Sequence, residues 1–111
     1  MPTVLEISPS EAKAKLSNSN KTILLDVREP EECAAAHLGT AEYIPMSLLP
    51  AAFQKLEGLA GEGDLLVLCH HGVRSLQVVV WLRERGLENC YSVAGGIDRW
   101  SRELDPAIPR Y

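Results

Sequence analysis

Two stretches of this chain are apolar almost without interruption: residues 22–27, Thr-Ile-Leu-Leu-Asp-Val, and residues 64–69, Asp-Leu-Leu-Val-Leu-Cys. A strand with one wet face alternates polar and apolar positions, whereas a strand covered on both faces of a parallel sheet does not. Both stretches are predicted buried strands, the second the stronger. Further extended segments are predicted at 43–45 and 91–93. Between these runs the pattern changes to a helical period. Ser8-Pro9-Ser10-Glu11 is a capping-box signature with proline at the first helical position, which predicts a helix to about Leu16. Pro30-Glu31-Glu32 opens a second helix, its acids suited to the positive end of the helix dipole. Leu49, Phe53 and Leu56 share one face of a helix over 50–59. Leu76, Val79, Val80 and Leu82 are the expected inward face of a helix over 75–85, ended by Gly86. Gly95-Gly96 turns into a last helix carrying Ile97 and Trp100. Strands alternating with helices predict an α/β fold with a mainly parallel sheet.

Composition narrows this picture. The 111 residues match one ordinary domain, with no repeat or linker to divide them, so a single domain over 1–111 is expected. A hydrophobic content of 46% supports a core without disulfides. The net charge of -4 and the scattered Lys and Arg exclude a nucleic-acid footprint. The apolar runs are too short to span a bilayer. The opening Met-Pro-Thr-Val-Leu-Glu has no basic region before an apolar stretch, so no signal peptide is expected. Three cysteines make a poor disulfide framework; reduced thiols in a cytoplasmic protein, monomeric or weakly dimeric, are the expectation.

Candidate chemistry concentrates at Cys69, the last residue of the stronger strand. In parallel α/β sheets, ligands sit beyond the carboxyl ends of the strands. The loop Cys69-His70-His71-Gly72-Val73-Arg74 lies there, ahead of the helix that begins near Ser75. Its amides can curl into a nest around the sulfur, and Gly72 permits the backbone angles required. The helix start aims positive charge at the same point. Arg74, His70 and His71 add cationic or hydrogen-bonding groups. Each effect favours thiolate, the nucleophilic form, and the same nest would hold a persulfide or an anionic sulfur donor. The competing reading is an inert core cysteine. Two histidines, a glycine and an arginine crowded behind it favour the reactive one.

Four motifs in order resemble the rhodanese family over nearly the whole chain. They are 24–32 (Leu-Leu-Asp-Val-Arg-Glu-Pro-Glu-Glu), 36–41 (Ala-His-Leu-Gly-Thr-Ala) running on to Ile44-Pro45, the Cys69–Ser75 loop, and 93–100 (Val-Ala-Gly-Gly-Ile-Asp-Arg-Trp). The resemblance implies a three-layer α/β fold with a central, mainly parallel five-stranded sheet flanked by helices. It also implies a two-step sulfur transfer through a Cys69 persulfide, with His70, His71, Gly72, Val73, Arg74 and Ser75 binding substrate. The partners implied are a small anionic sulfur donor and a thiol or protein acceptor; no cofactor is implied. Asp26, Arg28 and His37 are expected to support the loop, the first two as an ion-pair network and His37 as a hydrogen-bonding anchor. Ala36 stands where the family usually has Gly, and Cys33 where an aromatic is common; both are expected to lie away from the loop.

Other readings stay open. A cysteine phosphatase or arsenate reductase also runs its loop from Cys to Arg, but with five residues between them, against four here, His70 to Val73. A non-catalytic binding module would be expected to lack the cysteine. A persulfide carrier in a sulfur relay keeps the chemistry and changes the role. Cys33 and His37 at i, i+4, or Cys69, His70, His71 and Cys90, could suggest zinc, yet no tight Cys-x-x-Cys or His-x-x-x-His pair is present, so no metal is expected. Cys90 reads as a small buried residue, and Trp81 and Trp100 as core.

Overall fold

The computed structural model describes residues 4–19, 21–39, 41–61 and 63–111. Its strands are β1 (Glu6–Ile7), β2 (Ile23–Asp26), β3 (Glu42–Tyr43), β4 (Leu65–Leu68) and β5 (Cys90–Val93). Its helices are α1 (Pro9–Asn18), α2 (Pro30–Ala35), α3 (Leu49–Leu59), α4 (Val73–Glu84) and α5 (Gly96–Glu103), with a 3-10 turn at Met46–Leu48 leading into α3. The strands form one sheet in the order β1-β5-β4-β2-β3, and every neighbouring pair is parallel. The expected α/β architecture with five parallel strands is therefore present.

The unbroken apolar character of β4 has a direct cause. Leu65, Val67 and Cys69 enter one core with Leu56 of α3 and Val78, Val79 and Leu82 of α4. Leu66 and Leu68 enter a second core on the opposite face, with Ala12 of α1 and Ile97 and Trp100 of α5. All four β4 residues are fully buried. Helices cover both faces, so neither face of the strand can be polar. Each such leucine contributes about 1.5–3 kcal/mol through removal from water.

Local signals act as read for α1, where the Ser8 hydroxyl accepts the Glu11 N–H at 3.1 Å; the helix runs two residues further than expected, to Asn18. Elsewhere the structure corrects the reading. Strand β1 is absent from the predicted elements: it is two residues long, too short to show a period. Helix α4 begins at Val73 rather than Ser75, and Val78 replaces Val80 on its inward face. Val80 is 42% exposed and Leu76 is half-buried. Trp81 is also half-buried, lying edge-on to Phe53 at 5.8 Å, whereas Trp100 is core. Among the described residues, no helix is long and apolar enough to cross a membrane.

Candidate active site

Cys69 follows the last residue of β4, and the chain must reverse into α4 within three residues. Gly72 makes this possible. Its φ of 95° lies in the left-handed region, and a Cβ there would press on the Gly95 amide at 3.0 Å. The turn aims two backbone N–H groups at one sulfur: Gly72 N–H donates to Cys69 Sγ at 3.0 Å and Ser75 N–H at 3.3 Å. The thiol donates to Ser75 Oγ at 3.3 Å, and Ser75 Oγ lies 2.7 Å from Ser92 Oγ on β5. A sulfur anion at this position would keep both amides. It would also free the Ser75 hydroxyl to turn and donate to it, with Ser92 available to donate to Ser75. Cys69, Ser75 and Ser92 are all buried.

The glycine pair Gly95-Gly96 that opens α5 completes the loop from below. Ile97 N–H donates to the Cys69 carbonyl at 2.9 Å and Asp98 N–H to the His70 carbonyl at 3.1 Å. A Cβ on Gly96 would run into both of those carbonyls. The start of α5 thus satisfies the loop's acceptors and leaves its donors for the sulfur. Only glycine allows so close an approach.

A chain of charges lines the same end of the sheet. Arg28 and Asp26 form a fully buried ion pair at 2.6 Å. Burial opposes the Arg28 charge, but hydrogen bonds to Asp26 and Tyr111 hold its pKa above the ordinary value. Arg28 also donates to the Ala36 carbonyl and the Tyr111 hydroxyl, each at 2.8 Å. Arg74 meets both oxygens of Glu32, at 2.7 and 2.8 Å. That hydrogen bonding, opposed by partial burial and aided by the Glu29 amide, pushes the Glu32 carboxyl down to about 2.

His70 is stacked between His71 and Tyr111, with both ring centroids 3.9 Å from its own. Its Nε2 is buried without a hydrogen-bond partner, and burial, then the neighbouring His71, lowers its pKa. His71 is exposed, with Nδ1 4.0 Å from Asp98. Among the described residues, one group could hold a metal, His70, His71 and Asp98, whose donor atoms lie within 4.8 Å of one another. Both Asp98 oxygens are already taken, by Arg110 at 2.9 Å and Arg102 at 3.1 Å. Asp98 thus serves as the acceptor for two arginines.

The structure thus brings Cys69, His70, Gly72, Arg74 and Ser75 together and leaves Val73 as a 66% exposed residue opening α4. Three expectations change. His37 is exposed and makes no hydrogen bond among the described residues; the Arg28 guanidinium holds that part of the chain, through the Ala36 carbonyl. Cys33 lies on α2 and Ala36 directly after it, and this helix reaches the loop through Glu32, which grips Arg74. The Arg74 fork accordingly rests on a carboxylate. Thr40, within one of the quoted motifs, lies outside the described residues. Cys33 is half-buried on α2 and Cys90 fully buried, and burial pushes both thiols up. Residues that sequence reasoning missed are Glu32, Ser92, Asp98 and Tyr111. Glu32 carried one signal, its place in a helix-opening acidic pair. Tyr111 carried none, because it meets Arg28 from 83 positions away along the chain.

Comparison with known proteins agrees with this geometry. A family model for the rhodanese-like domain matches residues 8–103. The chain is 33% identical over 103 residues to the putative sulfurtransferase YtwF of Bacillus subtilis, covering 93% of this chain and 96% of that one. It is 34% identical to the adenylyltransferase and sulfurtransferase MOCS3-2 of Zea mays, covering 100% of this chain and 24% of that protein. Several such relatives are far longer, and the chain spans between 24% and 38% of their length. A rhodanese-related protein from Thermoplasma volcanium superposes with a TM-score of 0.80 at 30% identity, covering 96% of this chain and 99% of that one. With a matched family model over residues 8–103 and relatives similar along their whole length, the chain belongs to the rhodanese-like domain family.

Proposed function

We propose that this chain is a sulfurtransferase in which Cys69 carries the sulfur as a persulfide. The observation that supports the reading best is the set of three polar groups around one buried sulfur, the amides of Gly72 and Ser75 and the Ser75 hydroxyl. Cys69 thiolate attacks the outer sulfur of a sulfane donor such as thiosulfate, the donor's S–S bond breaks, and its electron pair leaves with the remainder. An acceptor nucleophile (cyanide, a thiol or a protein thiol) then attacks the outer sulfur of the persulfide, and Cys69 thiolate departs. Arg28 and Asp26 act through α2 and Tyr111 as structural support. Reduced cysteines suit a cytoplasmic setting.

A relay role, passing the persulfide to a biosynthetic partner, is a second reading. It is favoured by relatives such as the Zea mays protein, in which the matching segment makes up 24% of a longer chain. A phosphatase reading is disfavoured because the arginine that would cradle a phosphate is already bidentate on Glu32. The test is incubation with thiosulfate, polysulfide or an organic persulfide, followed by intact mass. One added sulfur, about 32 Da, is expected on Cys69 alone and is expected to leave on addition of cyanide. Cys69→Ser should take up none. A wild-type protein that accepts sulfur from no donor would overturn the proposal.

A further inference from the structure

The charges around the loop bear on which donor can use it. When thiosulfate gives up its outer sulfur, the thiolate attacks that sulfur, the S–S bond breaks, and sulfite leaves with the electron pair. Cys69 is left as a persulfide anion. Donor and leaving group are both dianions with three oxygens, and holding them beside a nucleophilic sulfur anion calls for free cationic donors. A persulfide R–S–SH makes a smaller demand. Its outer sulfur moves with its hydrogen, and one singly charged thiolate leaves.

The loop's arginine is already committed. Arg74 spends both terminal nitrogens on Glu32, and that carboxylate is fixed in turn by the Glu29 N–H at 2.9 Å. The Arg74 and Glu32 side chains are 32% and 23% exposed, so water screens this pair only partly. Arg28 is fully buried on Asp26, and Arg102 and Arg110 share Asp98. His70 is stacked on both faces, and burial disfavours its cation. Arg99 is paired with Glu103 at 2.6 Å, and the exposed His71 also faces Asp98, at 4.0 Å.

We propose that Glu32 is a donor-specificity residue: by clamping Arg74 it leaves the site better suited to an organic persulfide than to thiosulfate. This rests on the reading of Cys69 as a sulfur carrier. The experiment measures sulfur loading of Cys69 from thiosulfate and from cysteine persulfide, by intact mass against time, in wild type and Glu32→Gln. Glutamine keeps an oxygen for the Glu29 amide and removes the charge that holds Arg74. Wild type is expected to load faster from the persulfide. In Glu32→Gln the thiosulfate-to-persulfide ratio of kcat/KM should rise about tenfold, through a lower KM for thiosulfate, the effect of one additional charge-assisted hydrogen bond to the donor. Arg74→Ala should raise the thiosulfate KM by less than about threefold alone, yet erase the gain in the double variant.

Faster loading of wild type from thiosulfate, or a ratio that Glu32→Gln does not move, would overturn the inference while leaving the sulfur-carrier reading intact. Should Glu32→Gln fail to fold, Arg74→Ala decides alone, because a KM rise of about tenfold or more would mean Arg74 is free to bind donor. Loading from neither donor, nor from polysulfide, would overturn both readings.

Discussion

Replacing Asp26 by alanine tests what the buried charges at this end of the sheet contribute. Asp26 and Arg28 side chains are both 0% exposed, and three side-chain contacts join them, at 2.6, 2.9 and 3.1 Å. Asp26→Ala leaves a guanidinium out of water with neutral partners only: the carbonyls of Ala36 and Glu32 and the Tyr111 hydroxyl. Breaking a buried pair from one side typically costs about 3–5 kcal/mol. The three remaining acceptors hold the loss near the lower end, about 3 kcal/mol. For a domain of this size that is a drop in Tm of roughly 10–20 °C. Removing both charges removes the penalty, so Asp26→Ala/Arg28→Met should lie within about 1 kcal/mol of wild type, a coupling of at least about 2 kcal/mol, larger by whatever Arg28→Met costs alone. Urea denaturation of the two single variants and the double variant, with unchanged m-values, supplies the cycle. A double variant no more stable than Asp26→Ala would refute the reasoning. The stabilisation would then lie in the Arg28 bonds to α2 and Tyr111 rather than in charge compensation.

Two further tests follow from the same geometry. Gly96→Ala puts a Cβ into the carbonyls of Cys69 and His70 at a φ of 61°, and the left-handed angle alone costs about 1–2 kcal/mol. A loss of at least that size in thermal melts is expected, with slower sulfur loading at Cys69; a change below about 0.5 kcal/mol would show that α5 does not set the loop. The Glu32 carboxyl is held at about 2 from 4.5, so its contribution is complete above its unfolded value and fades as pH falls through the folded one. The stability gap between wild type and Glu32→Gln should therefore be about 1–2 kcal/mol at pH 6, discounted for partial solvent screening, and close between about pH 5 and 2. A gap independent of pH in urea titrations would mean that the Arg74 contact, not ionisation, carries it.

What the sequence reveals and what it hides divide along one physical line. β4 is legible because coverage on both faces forces every position apolar, and Cys69 because the strand ends where parallel sheets place ligands. The α1 cap, the Gly72 turn and the Gly95-Gly96 turn are legible because each is a local backbone requirement met within a few residues. β1 escapes because two residues carry no period, and Val80 stands in for Val78 because α4 starts a half-turn earlier than its first polar residues suggest. The charged network escapes for a different reason. Arg74 and Glu32 are 42 positions apart, and Arg28 and Tyr111 are 83 apart. No spacing rule reaches that far, so a loop arginine reads from sequence as a free cation until its carboxylate is seen. The amides around the Cys69 sulfur depend on local backbone geometry, whereas the ion pairs beside it depend on tertiary contacts. Motif matching therefore reports the first well and the second poorly. On the proposed donor specificity, two chains sharing Cys69, Gly72, Arg74 and Ser75 would differ in donor according to whether an acid like Glu32 stands opposite the arginine, a position in α2 and outside the Cys69–Ser75 loop.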